Sequence, residues 1–172
     1  MKNILLIGLG RFGRHMAQAL TDLHHQVLVI DKDEHKVQEA LSYVTNAEIG
    51  DATDPELIDS LGVSDFDLCV VTMSHDLQAS LEITALLKKK GAPFVLVRVS
   101  RDTHAEFLLS CGADEIIYPE SRWRNGRPCV TAGIMSMIIP GFLRIMPFMR
   151  RRFRTAGSAT PLLIWAYVSG IA

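Results

Sequence analysis

Three glycines in the run Gly8-Leu9-Gly10-Arg11-Phe12-Gly13 constrain this chain more than any other feature. The spacing GxGxxG is weak by itself, because glycine clusters are common in turns. Here it follows the apolar run 4–7 and opens a helical pattern over 12–23, and that context makes it specific. In a strand–turn–helix, Gly8 permits a tight turn and Gly10 lets backbone approach a diphosphate. Gly13 then lets the helix pack closely on the strand. The first free N–H groups of such a helix point at bound phosphates.

The rest of the first 120 residues repeats the alternation. Apolar runs at 27–30, 47–49, 68–71, 94–99 and 115–117 read as strands. Helical spacing recurs at 34–41, 55–61, 76–89 and 103–111, with Pro55 in a first-turn position and Gly91 closing a helix after Lys88-Lys89-Lys90. Strands alternating with helices imply right-handed βαβ units and a parallel sheet covered on both faces. The fold class expected is α/β, a doubly wound Rossmann-like sheet of about six strands, followed by a poorly structured or irregular C-terminal tail.

Asp31 ends the second apolar run, 23 residues beyond Gly8. A carboxylate there can accept hydrogen bonds from both hydroxyls of an adenosine ribose, and it repels a 2′-phosphate, which points away from NADP. An ordinary strand-end acid is the competing reading. Gly50-Asp51-Ala52-Thr53-Asp54 follows the third strand at the same edge of the sheet. Those small residues could lie against an adenine, with Asp51 and Thr53 on its polar edge, or could simply cap the Pro55 helix. Arg98, ending the fifth strand, could reach a phosphate or pair with a nearby acid. Lys32 and Met73 complete the candidate positions beside the ligand.

Composition divides the chain in two. Up to Ser121 there are 10 Lys and Arg against 19 Asp and Glu; from Arg122 onward there are 8 Arg, no Lys and no acid. A shift that abrupt marks a boundary, giving domains 1–121 and 122–172. Cys69, Cys111 and Cys129 are widely spaced and fit reduced, mostly buried thiols. The six histidines show no metal spacing and read as solvated or capping residues. No signal peptide is expected, since Met1-Lys2-Asn3 runs straight into a strand. Residues 133–149 come closest to a membrane span, but Pro140, Arg144 and Pro147 interrupt them.

Taken together, Ile7-Gly8-Leu9-Gly10-Arg11-Phe12-Gly13, the Asp31 strand end and Gly50-Asp51-Ala52-Thr53 resemble the N-terminal domain of the bacterial Trk/Ktr potassium-uptake regulators, the regulator-of-potassium-conductance family. The segments Val71-Thr72-Met73, Cys111-Gly112-Ala113-Asp114 and Tyr118-Pro119-Glu120 match as well. The resemblance covers about residues 1–121. It implies an adenine nucleotide as ligand, NAD(H) in Trk-like members and ATP or ADP in Ktr-like ones. It also implies homo-oligomers, a dimer or a ring, on the cytoplasmic inner face of the plasma membrane against a potassium transporter subunit. Nucleotide exchange would bias two ring conformations and so gate the pore. Glu120 falls where Ktr-like members carry a glutamate beside the nucleotide. No nucleic-acid partner and no catalysis are implied.

Residues 122–172 do not fit the family, whose members continue into an acid-rich helix and a second domain. Arg150-Arg151-Arg152-Phe153-Arg154 suits a membrane-surface tail, but translation out of frame accounts for more. Arg122-Trp123-Arg124-Asn125-Gly126 can be encoded AGA TGG CGG AAC GGN. One G placed in front makes it read Glu-Met-Ala-Glu-Arg, the helix start the family shows here. In the same shifted frame residues 142–150 read Ser-Glu-Asp-Tyr-Ala-Ile-Tyr-Glu, and 165–172 read Leu-Gly-Val-Arg-Lys-Arg-Tyr-Ser. A tail of this kind exposes apolar surface and positive charge without a pattern to bury them, so poor solubility is expected.

Two other functions fit the sequence less well. An NAD-dependent oxidoreductase, or its cofactor-binding domain, needs a catalytic acid or base at the nicotinamide and normally a substrate domain. No suitable His or Lys follows a glycine-rich substrate loop in this chain. A basic membrane or nucleic-acid binder would rest wholly on the tail.

Overall fold

The computed structural model describes residues 1–73 and 76–118. Strands and helices alternate through them: β1 (Asn3–Ile7), α1 (Arg11–Asp22), β2 (Gln26–Asp31), α2 (Glu34–Ala40), β3 (Asn46–Ile49) and α3 (Pro55–Ser60). A turn of 3-10 helix at Val63–Asp65, which the sequence pattern does not announce, leads to β4 (Leu68–Val71). Then come α4 (Leu77–Lys89), β5 (Val95–Arg98), α5 (Asp102–Ser110) and β6 (Glu115–Ile117).

All five strand pairings are parallel, in the order β3-β2-β1-β4-β5-β6. This is the expected Rossmann-like doubly wound sheet. The order reverses between β1 and β4, and at such a switch point the two flanking crossovers leave in opposite directions and open a crevice at the carboxyl ends.

Burial follows sheet position. Ile4, Leu5 and Leu6 of the central strand are wholly buried and Ile7 is 1% exposed, as a strand covered on both faces requires. The edge strand β3 has no fully buried residue. On α1, Gly13, Met16, Ala17 and Leu20 are buried, the spacing of one helical face. Asp33, Asp54 and Asp76 each cap a helix by accepting a backbone N–H, from His35, Glu56 and Ala79 respectively. Helix α1 differs: its N-cap is Gly10, with no side chain to occupy the first N–H groups.

The thiols divide. Cys69 is buried in β4 and its pKa is pushed up to about 12 by that burial, which leaves it inert; Cys111 is exposed, against the expectation of burial. Cys129 lies outside the described residues, as do His75 and the whole of the segment 122–172. Among the described residues no helix is long and apolar enough to cross a membrane, and no cluster of His, Cys, Asp and Glu is arranged to hold a metal ion.

Candidate functional site

An open cleft of about 250 Å³ lies over the carboxyl ends of the strands, at the switch point. Gly8, Gly10, Arg11 and Phe12 enter it from the glycine turn and the start of α1. Asp31 and Lys32 come from the end of β2, Asp51 and Ala52 from behind β3, Met73 from behind β4, and Arg98 from the end of β5. Residues dispersed over 90 positions of sequence thus meet at one place.

The three glycines of the turn differ in what surrounds them. Gly8 has φ +99°, a conformation that side chains rarely tolerate, and a Cβ there would lie 2.9 Å from Thr72 Oγ1. A Cβ on Gly13 would collide with the carbonyl oxygen of Gly8, so Gly13 packs the helix onto the turn and does not line the cleft. A Cβ on Gly10 would meet nothing within 4 Å. The space above Gly10 and the uncapped start of α1 fit a phosphate group, which the free N–H groups would hold.

Asp31 is fixed by backbone. Its Oδ2 accepts the N–H of Leu9 at 2.6 Å, and its Oδ1 accepts the N–H of Asp33 at 2.9 Å. Lys36 Nζ stands 3.7 Å from Oδ1 and 3.3 Å from Asp33 Oδ2. The side chain is 10% exposed, so a single narrow face of the carboxylate remains for a ligand. Each oxygen keeps a lone pair beyond its backbone donor, which suits a pair of ribose hydroxyls.

Asp51 and Thr53 are first of all partners of each other. Thr53 donates its N–H at 3.0 Å and its hydroxyl at 2.7 Å to Asp51 Oδ1, and these bonds hold the Asp51 carboxyl below the usual carboxylate range. Asp51 therefore reaches the cleft with Oδ2 unengaged by Thr53, while Thr53 is not among the lining residues. Asp54, not Asp51, caps α3.

Arg98 takes a position the sequence does not anticipate. Its guanidinium sits over the Phe12 ring, 5.1 Å from the centroid, within range of a cation–π contact. Burial lowers its pKa and the neighbouring Arg11 lowers it further, so two cations meet at one end of the cleft. Glu120 lies outside the described residues.

Among the other lining residues, Lys36, Asp76 and Thr72 carry polar side chains to which the sequence reading gives no role. Thr72 is 6% exposed and directs its hydroxyl at Gly8 O, 2.6 Å away, with Ile7 O at 3.1 Å. A threonine directly behind an apolar strand, at the level of a glycine turn on the neighbouring strand, is the signal that could have found it.

The TrkA-N domain family matches residues 4–119. The chain belongs to that family. Among curated relatives it is 38% identical over 119 residues to the Ktr system potassium uptake protein C of Bacillus subtilis (strain 168), an alignment that takes in 69% of this chain and 54% of the relative. The chain thus spans about half the length of that relative. Solved structures share the fold at low identity. The TrkA-N domain of the inner membrane protein ybaL from Escherichia coli superposes with a TM-score of 0.63 at 21% identity, over 69% of this chain and 88% of that one. The GsuK channel bound to NAD superposes with a TM-score of 0.61 at 16% identity, over 67% and 21% respectively. The family match of this TrkA-N chain ends at residue 119, just ahead of the change in charge balance at Arg122.

Proposed function

We propose that residues 1–121 form the nucleotide-sensing unit of a cytoplasmic regulatory subunit that gates a membrane potassium-uptake transporter. The observation that carries this reading is the Asp31 carboxylate, held by two backbone N–H groups beside an uncapped helix start and the open space over Gly10. A ribose diol on Asp31 places the phosphates of an adenine nucleotide over Gly10 and Arg11, with Arg98 beyond them and the adenine towards Ala52. NAD(H), ATP and ADP share that half. The Ktr relative is named for potassium uptake and the GsuK structure for bound NAD, and both support the assignment.

The nucleotide acts as a signal and is not consumed. It shifts an equilibrium between two conformations by its difference in affinity for them. The chain works as a homo-oligomer at the inner face of the plasma membrane. A thermal-shift series with NADH, NAD, ATP, ADP and NADP, run beside an assay of hydride transfer, tests the reading. Stabilisation by adenine nucleotides without turnover is the expected result. Sustained oxidation of NADH by a small-molecule substrate would make the chain an oxidoreductase instead.

Residues 122–172 are, on this reading, an out-of-frame translation of the subunit's second half. The family match ends at 119, and three separated segments return family-like sequence in a single shifted frame. Sequencing the coding DNA decides it: a single-base insertion near codon 122 must restore an open frame, or the idea is wrong.

A further inference from the structure

The glycine turn is held through one peptide group. The carbonyl of Gly8 and the N–H of Leu9 belong to the same planar unit. Its oxygen accepts the Thr72 hydroxyl at 2.6 Å, and its N–H donates to Asp31 Oδ2 at 2.6 Å. Thr72 comes from the end of β4 and Asp31 from the end of β2, on opposite sides of β1. The two side chains therefore grip one peptide from its two ends, and rotation of that peptide breaks both bonds together.

Packing reinforces the grip. Thr72 Oγ1 is the near neighbour of Cβ positions built on both Gly8 and Gly13, at 2.9 Å in each case, so the hydroxyl fills the notch where turn and helix meet. The Thr72 backbone N–H also donates to Ile7 O at 2.9 Å, and the Gly8 N–H donates to Ile30 O at 2.8 Å. With both ends of the peptide fixed, the next residues, Gly10 and Arg11, present their N–H groups to the cleft in one orientation.

We propose that Thr72 is a positioning residue for the phosphate half of the cleft, acting through the Gly8–Leu9 peptide, while the ribose acid Asp31 keeps its separate Oδ1 bond to the Asp33 N–H. The proposal rests on the nucleotide-binding reading above. Its ligand class is an adenine nucleotide with at least two phosphates, since an adenosine engages Asp31 without using the glycine turn. Thr72→Val keeps the shape of the side chain and removes the donor. The buried Gly8 carbonyl then loses its partner, and the cost falls on phosphate binding.

Calorimetric titration of the 172-residue chain with adenosine and with ADP separates the possibilities. In the wild type ADP binds tighter than adenosine. Thr72→Val reduces that advantage about tenfold, the scale of one buried hydrogen bond, and leaves adenosine affinity within about twofold. Thr72→Ser, which keeps the hydroxyl, retains the advantage within about threefold. If Thr72→Val does not fold, Thr72→Ala removes the same donor with less bulk and is read the same way. An unchanged ADP-to-adenosine ratio in the variant lacking the hydroxyl, an equal loss for both ligands, or no rescue by serine overturns the proposal. A wild type that binds neither ligand overturns the nucleotide reading, and this inference with it.

Discussion

The two edges of the sheet carry similar residue types and use them differently. At the amino edge, ahead of β1, β2 and β4, polar groups pair mainly with one another, His25 Nε2 excepted. Lys2 Nζ pairs with Asp67 Oδ1 at 3.0 Å, Asp67 Oδ2 accepts the Asn3 N–H at 2.8 Å, and His25 Nδ1 accepts the Lys2 N–H at 3.2 Å. At the carboxyl edge, Asp31 and Thr72 are also bonded to backbone, but the bonds aim the glycine turn at an open cleft. Charge at the amino edge closes the structure; charge at the carboxyl edge leaves valences facing outward. The difference separates a site from a surface, and the sum of charges in either region does not reveal it.

The largest effect comes from breaking the turn itself. Gly13→Ala puts a methyl group against the Gly8 carbonyl, so either α1 moves away from β1 or the turn is lost. A cost at or above about 3 kcal/mol follows from overpacking at such a contact. Nucleotide binding disappears with it. A melting curve with and without ADP shows both losses together.

Asp31→Ala comes next. It removes the proposed ribose acceptor and the partner of the Leu9 N–H at once. Two hydrogen bonds to a charged acceptor are worth about 100-fold in affinity or more. Every adenine nucleotide should suffer alike, because the ribose is what they share. Arg98→Ala is milder and more selective: about a tenfold loss for ADP, little for adenosine, and a shallower dependence of ADP affinity on salt.

Much of this was legible in the sequence, for identifiable reasons. The strands were readable because a parallel sheet covered on both faces demands continuous apolar runs such as 4–7 and 68–71. The glycine turn and Asp31 were readable because backbone geometry and spacing restrict what can stand there. Thr72 was not, because its importance lies in a contact between strands 64 positions apart in sequence. Nor was the seat of Arg98 on Phe12, since either a phosphate or an acid was an equally good partner on paper. His25, which the sequence offers as a solvated or capping residue, is 7% exposed with Nε2 buried and unbonded, because its ring folds back on Lys2 at the start of the chain.

The smallest effect belongs to that histidine and probes the closed edge. Burial lowers the His25 pKa below the ordinary value near 6.5, and the charges of the chain N-terminus and Lys2 lower it further, with Asp67 opposing. Above that value both folded and unfolded chains carry a neutral imidazole and stability is complete. As pH falls below it, the unfolded chain takes up the proton first, so stability is lost until the lowered folded value is reached. The hydrogen bonds of Asp51 and Asp67 lower their carboxyls and act only in a more acidic window, below the usual carboxylate range. Melting temperature should drop between pH 7.5 and pH 5.5. His25→Asn, whose amide oxygen can replace Nδ1 as acceptor, should flatten that drop without touching nucleotide affinity.

Calorimetric titration of the wild-type chain with ADP, beside Asp31→Ala at the same concentration, tests the contrast between the edges most directly. That contrast requires saturable binding to the wild type and a loss of about 100-fold or more in the variant. Equal affinity in the two proteins, or no binding to either with the wild type folded, would contradict it.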